Sequence, residues 1–202
     1  MEAYLELLKE EGLAQEERLH YITALESSEK QLSFLIESFI KMSRLETKVI
    51  QLRKTSQDIY GTIESAAEKA EKKAKNKKID IVIEKQECLS IPHDRNWLSE
   101  AIFNFLDNSV KYSKDGSKIH ISASKNEMFL KIHIRDWGIG IGKHEEHDIF
   151  KRFYRGKNLT GQEGFGLGLY ISREIIGAHN GFVKVKREDP GTSFFIFLNI
   201  ED

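Results

Sequence analysis

The sequence predicts an α+β fold: a two-layer α/β sandwich, a mixed sheet covered by helices, preceded by a helical hairpin. Three observations predict it. Short runs near 79–84, 118–124, 129–135, 182–187 and 193–200 alternate apolar and polar residues, the period of half-buried strands. Helix-period segments near 96–112 and 168–178 interrupt those runs, and strands and helices so mixed pack as two layers. Ahead of both lies a helical pattern over about 15–53, in which Leu25, Leu32 and Phe39 recur every seven residues, as do Leu35, Met42 and Val49.

Taken in order, "EAYLELLKE" (2–10) reads as the end of a helix, with Gly12 suited to close it. The long helix that follows carries an apolar stripe that needs a long partner, which points to a hairpin pairing with a second copy in a bundle. "ESAAEKAEKKAKNKK" (64–78) has few apolar anchors and reads as a solvated helical surface leading into a turn. The expected organisation is therefore a hairpin domain over 1–54, a helical lead-in over 55–78 and the sandwich over 79–202. Asn126 sits at a plausible hairpin turn between the second and third runs.

Composition narrows the function. With 31 basic and 32 acidic residues the net charge is −1, which argues against a general electrostatic attraction to nucleic acid or anionic lipid. Cys88 is the single cysteine, so no intrachain disulfide and no cysteine-based zinc site forms. No apolar stretch approaches the roughly 20 residues that cross a bilayer, and the best candidate, Leu32 to Ile40, is broken by Glu37. A soluble chain is expected.

Four stretches carry chemistry. In "NFLDNSVKYS" (104–113), helical spacing gathers Asn104, Asp107, Asn108, Lys111 and Tyr112 opposite the apolar Ile102, Phe105, Leu106 and Val110. An amide oxygen ligates a hard cation such as Mg²⁺, and a lysine supplies a point charge for phosphate. "RDWGIGIG" (135–142) follows a strand run and sets Asp136 before Gly138, Gly140 and Gly142, a carboxylate beside backbone that a ligand can approach closely. "GFGLGLYISREI" (164–175) places Gly164, Gly166 and Gly168 at the opening of an apolar helix, where free N–H groups favour anions. It matches neither a Walker A loop nor a Rossmann fingerprint. Between the glycine stretches, Phe150 and Phe153 stand among Lys151, Arg152, Arg155 and Lys157, a composition suited to a lid over phosphates.

These four boxes, in this order, resemble the catalytic and ATP-binding domain of bacterial sensor histidine kinases, of the Bergerat (GHKL) ATPase type. "NFLDNSVKYS" is similar to the N box, "DWGIGI" to G1, "FKRFYR" to the F box and "GFGLGLYI" to G2, while "GTSFFIFL" (191–198) looks like the closing strand. The resemblance implies ATP and Mg²⁺ as cofactors. Asn108 would be the metal ligand, Asn104 would assist at the phosphates, and Lys111 and Arg155 would contact phosphate, so that catalysis rests on Asn104, Lys111 and Arg155. It also implies that Tyr112 lines the adenine, that Asp136 holds its amine beside Gly138, Gly140 and Thr192, and that Gly164, Gly166, Leu167 and Gly168 accommodate the triphosphate. Gyrase-type and chaperone relatives carry a water-activating glutamate where this chain has Asn104. An amide is no general base at neutral pH, so ATP is expected to be held for transfer rather than rapidly hydrolysed.

The hairpin resembles the dimerisation and phosphoacceptor module of the same kinases, with "MSRLE" (42–46) like the end of its second helix. The acceptor motif, a histidine before an acidic residue and a nearby proline, is not found. His20 falls on the second helix, and register places the acceptor ahead of Met1. The expected partners are ATP or ADP, a response-regulator receiver domain and, in the parent protein, a second copy. The expected location is a cytoplasmic domain of a membrane-anchored parent. Rival readings are a gyrase-like hydrolytic ATPase and a non-catalytic dimerising scaffold. Of the other histidines, "HEEH" (144–147) falls one residue short of zincin spacing. His120 and His133 are expected to face outward from strands, and His179 to lie in a turn.

Overall fold

The computed structural model describes residues 2–9, 12–47, 51–156 and 164–200. The chain divides into two compact units, Met1–Glu46 and Thr47–Asp202. The first holds α1 (Glu2–Leu7) and α2 (Gln15–Glu46), joined through a turn in which Gly12 takes a φ of 100°. The helical pattern extends to Arg53 in the sequence, yet α2 stops at Glu46 and residues 51–54 are not helical. Thr47, Val49 and Ile50 follow that end, and β-branched residues lose side-chain freedom in a helix. Of the seven-residue stripe, Met42 is buried, Leu25 and Leu35 are half-buried, and Leu32 and Phe39 are exposed. Val49 lies outside the described residues.

The second unit runs β1 (Thr55–Asp58), α3 (Ile59–Asn76), β2 (Asp80–Glu84), β3 (Ser90–His93), α4 (Arg95–Tyr112), β4 (Lys118–Lys125) and β5 (Phe129–Asp136). A 3₁₀ turn (Asp148–Phe150), α5 (Gly168–Ala178), β6 (Phe182–Arg187) and β7 (Thr192–Asn199) complete it. The main sheet has the order β2-β4-β5-β7-β6, with β2 parallel to β4 and the other neighbours antiparallel. It is the mixed sheet that the alternating runs predict. Along β5, Leu130, Ile132, Ile134 and Asp136 are buried while the residues between them are only half-buried, so one face is turned to the core. The helices cover that face: Phe105 of α4 meets Phe194 of β7 with ring centres 5.1 Å apart, and Ile63, Ile102 and Ile175 are fully buried.

Two features differ from the sequence reading. Residues 64–78 are more than a solvated surface, because α3 buries Ile59, Ile63, Ala66, Ala70 and Ala74. Alanines four apart let a helix lie close to its neighbour with little hydropathy to announce it. The second is a small sheet in which β1 pairs antiparallel with β3, from Thr55↔His93 to Asp58↔Ser90. Asp58 then caps α3 by accepting from Tyr60 N–H, and Asp94 caps α4 by accepting from the N–H groups of Asn96 and Trp97. Such caps are each worth about 1 kcal/mol. The β4–β5 hairpin turns as expected at Asn126, whose Oδ1 accepts from Met128 and Phe129 N–H. Among the described residues no helix is long and apolar enough to cross a membrane.

Candidate active site

The site is built on α4. Ile102, Phe105, Leu106 and Val110 are buried against the sheet, which leaves Asn104, Asp107, Asn108, Lys111 and Tyr112 half-buried on the other side. A half-buried polar face needs partners, and those of the two asparagines are explicit. The Asn104 amide donates to Ser172 Oγ at 3.1 Å and to the Gly168 carbonyl at 3.4 Å, which fixes α4 against the start of α5. Ser172 in turn donates to the Ala101 carbonyl at 3.1 Å. The Asn108 amide nitrogen donates to the Asn104 carbonyl one turn back at 2.8 Å, so its Oδ1 is the atom left for a ligand. Lys111 Nζ reaches the glycine loop: a Cβ built on Gly164 would lie 3.0 Å from it. Burial pushes the Tyr112 phenol above its ordinary pKa, opposed by the nearby Arg155 guanidinium.

Asp136 ends β5 with only 3% of its surface exposed. Its Oδ1 accepts from Gly138 N–H at 2.9 Å and Thr192 N–H at 3.2 Å, and its Oδ2 accepts from Ser109 Oγ at 3.3 Å. Burial raises its pKa, and those three donors and Arg135 pull the other way. Oδ2 keeps acceptor capacity beyond Ser109, because a carboxylate oxygen has two lone pairs. The chain then turns sharply against the end of α4. Ile139 N–H donates to the Tyr112 carbonyl at 3.2 Å, and a Cβ on Gly138 would stand 2.5 Å from that same oxygen. Only glycine fits there. A Cβ on Gly140 would sit 3.0 Å from the Gly191 carbonyl, at the turn that leads into Thr192.

The second glycine stretch closes the ring. Gly166 has a φ of 68°, and a Cβ there would overlap the backbone of Phe153 and Tyr154, so this loop is pressed onto the segment between the glycine boxes. Gly168 meets Asn104 in ordinary contact, with Oδ1 3.6 Å from its Cβ direction. Leu167 is 1% exposed and anchors the loop in the core. Phe150 is buried, whereas Phe153 is exposed. The basic arms of this segment do different work. Arg152 donates to the Tyr170 hydroxyl at 2.8 Å and stacks over its ring, and Lys151 pairs with Asp148. Arg155 is exposed beside Tyr112, and Lys157 lies outside the described residues.

Chains of contact thus link Asn104 to Gly168, Lys111 to Gly164, Tyr112 to Gly138 and Arg155, and Asp136 to Gly138 and Thr192. Sequence reasoning missed Ser109, Ser172 and Arg135. The signal for Ser109 was a hydroxyl on the apolar stripe of α4, where a buried polar group requires a partner. Ser172 carries the same signal on α5. Arg135 donates to the carbonyls of Asp136 and Thr192 and, at 2.7 Å, to that of Pro190, tying the end of β5 to the β6–β7 turn. His179 lies in the turn after α5, as expected, and is buried there. It is 4% exposed and bridges Ile175 O, 2.8 Å from its Nδ1, to Asp94 N–H, 3.2 Å from its Nε2. His120 meets Glu84, and His133 stacks on Phe195 with ring centres 4.5 Å apart.

A mixed sheet under three helices, with glycine turns pressed against a polar helix face, defines a class of ATPase. Residues 93–202 match the family of histidine kinase-, DNA gyrase B- and HSP90-like ATPases, over half of the chain, and the chain belongs to that family. The relatives it resembles include bacterial sensor proteins and histidine kinases. Sensor protein SrrB of Staphylococcus aureus is 28% identical over 172 residues, covering 84% of this chain and 30% of SrrB. Full-length ShkA in complex with AMPPNP superposes with a TM-score of 0.78 at 28% identity, over 95% of this chain and 40% of ShkA. ThkA in complex with the response regulator TrrA shares the fold at a TM-score of 0.79 and 19% identity, over 98% of this chain and 56% of ThkA. The chain therefore spans under a third of the SrrB length.

Proposed function

We propose that this chain binds ATP with Mg²⁺ and holds the γ-phosphoryl group for in-line attack by a histidine, from which it passes to an aspartate of a response-regulator receiver domain. The observation that carries the reading is the carboxylate of Asp136. It is buried at a strand end, held by three donors, and keeps an acceptor position suited to an exocyclic amine such as that of adenine. Tyr112, Gly138, Gly140 and Thr192 surround that end of the site. Lys111, Arg155 and the backbone of Gly164, Gly166, Leu167 and Gly168 bring positive charge and N–H groups to the phosphate end.

The donor set also fits a hard cation, because the Asn108 amide nitrogen is committed to the Asn104 carbonyl and its oxygen is not. Mg²⁺ held there with phosphate oxygens and water would neutralise charge on the β- and γ-phosphates. The chain's own residues supply orientation and electrostatics, which is most of what phosphoryl transfer asks of a protein. The bond from the γ-phosphorus to the β,γ-bridging oxygen would break, its electron pair leaving with ADP, as a P–N bond to the imidazole forms and the imidazole N–H proton passes to water. Asn104, donating its amide to Ser172 and Gly168, has no basic atom with which to activate water, which favours transfer over hydrolysis. The AMPPNP complex of ShkA and the regulator complex of ThkA support the nucleotide and the receiver domain as partners. A homodimer in the parent protein supplies the acceptor histidine in this reading.

Calorimetric titration tests it. ADP with Mg²⁺ is expected to bind in the micromolar range, with affinity falling at least about tenfold in Asn108→Ala and in Asp136→Ala, the loss expected for a withdrawn charged or metal-bound partner. No binding by the unaltered chain would overturn it.

A further inference from the structure

Lys77 caps the C-terminus of α3, far along the chain from every residue placed in the site, yet its side chain is spent on the site's scaffold. Its Nζ donates to three carbonyls at the end of α4: Val110 at 3.0 Å, Lys111 at 3.1 Å and Ser113 at 2.6 Å. Its own carbonyl accepts from Gly116 N–H at 2.9 Å, so backbone and side chain together grip the segment from 110 to 116. Asp115 Oδ1 stands 3.9 Å from the same ammonium.

The carbonyls at a helix C-terminus lack partners within the helix, and the dipole makes that end negative. A cation bonded to three of them holds the last turn closed. That turn carries Lys111 and Tyr112. It also sets the Tyr112 carbonyl, against which Gly138 and Ile139 N–H are packed. Lys73 of α3 pairs with the Asp107 carboxylate one turn earlier and Lys69 donates to the Ser99 hydroxyl at 3.2 Å, so lysines of this segment grip α4 at three levels. Of these three lysines, Lys77 is the one that holds backbone.

We infer that Lys77 is a positioning residue of the nucleotide site, acting through the last turn of α4 to place the Lys111 ammonium at the phosphates. This rests on the nucleotide reading above and goes beyond it, since the Lys77 ammonium is spent on backbone carbonyls. A merely structural lysine would change stability and leave the affinity of the folded chain unaltered. A positioning lysine changes affinity, and its effect depends on Lys111 being present.

A double-mutant cycle on the full chain separates these, with ADP·Mg²⁺ as the calorimetric probe and thermal unfolding followed in parallel. Lys77→Met is expected to weaken ADP·Mg²⁺ about tenfold when Lys111 is present, the scale of one lost charge-assisted contact. In the Lys111→Met background the same change is expected to cost less than about twofold. Lys77→Arg, which keeps the donors and the charge, is expected to restore most of the affinity. Equal losses in both backgrounds, or full affinity in folded Lys77→Met, would overturn the inference. If Lys77→Met does not fold, Lys77→Gln takes its place in the cycle with the same outcomes decisive. Absence of ADP·Mg²⁺ binding in the unaltered chain is a different result, and counts against the nucleotide reading itself.

Discussion

Asp136 shows how one residue sets stability against binding. Burial makes its charged form costly, and the N–H groups of Gly138 and Thr192 with the Ser109 hydroxyl compensate only in part, so its pKa is raised in the folded chain. The folded state then binds a proton more tightly than the unfolded state. The stability tied to this group is fully present below the ordinary carboxylate pKa and is lost as pH rises through the raised value. Asp136→Asn removes that dependence, because an amide oxygen still accepts from Gly138 and Thr192 while the amide nitrogen can donate to Ser109. The expected outcome is a variant that matches or exceeds the unaltered chain in urea midpoint at neutral pH, with the difference shrinking as pH falls through the window. Its nucleotide affinity drops more than about tenfold, since an N–H now faces the amine of the base. Urea unfolding from acid to neutral pH, paired with ADP·Mg²⁺ titration, checks both. A midpoint difference that grows toward acid would show the burial argument to be wrong.

At the scale of elements, the site depends on loops that cannot move independently. Gly166 presses the second glycine loop onto the backbone of Phe153 and Tyr154, and Phe150 and the Arg152–Tyr170 contact anchor that segment in turn. Gly166→Ala needs a left-handed backbone, which costs on the order of 1 kcal/mol, and must also part the two loops. The expected result is a clear loss of ATP affinity with little change in adenosine affinity, because the proposed nucleotide site assigns this loop to the phosphates. Parallel titrations with the two ligands read the difference, and equal losses would mean that the loop does not serve the phosphate end. Elements of this kind were partly legible in the sequence. The alternation of β4, β5, β6 and β7 and the two faces of α4 stand in the order of residues because each has one wet and one dry side. The four-residue strands β1 and β3 escaped because "TSQD" and "SIPH" alternate nothing, and Pro92 argues against a strand. The buried face of α3 escaped because it is written in alanine. The polar positions of the site were visible as residue types, but Ser109, Ser172, Arg135 and Lys77 matter through contacts that no spacing encodes.

For the whole molecule, the unit formed by α1 and α2 is where apolar surface is left over. Leu19, Ile22, Leu32, Ile36 and Ile40 each leave between 41% and 65% of their surface in solvent along α2. Leu32, Ile36 and Ile40 lie four residues apart and so line one face. A short α1 of six residues cannot cover a helix of 32. Contiguous apolar surface on this scale marks a protein–protein interface more often than it is left bare, and a helical stripe is best matched by a second helical stripe. We therefore expect the chain to self-associate through α2, with light scattering giving the mass of a dimer at micromolar concentration. Leu32→Asp combined with Ile36→Asp places charge in that seam and is expected to give a monomer, since an unpaired buried charge costs several kcal/mol. Nucleotide affinity should be unaltered in the variant, because Asn108, Lys111 and Asp136 belong to the other compact unit. A monomeric unaltered chain would refute the assignment of this face. A variant that dissociates and also loses ADP·Mg²⁺ would show instead that the two units are coupled in binding.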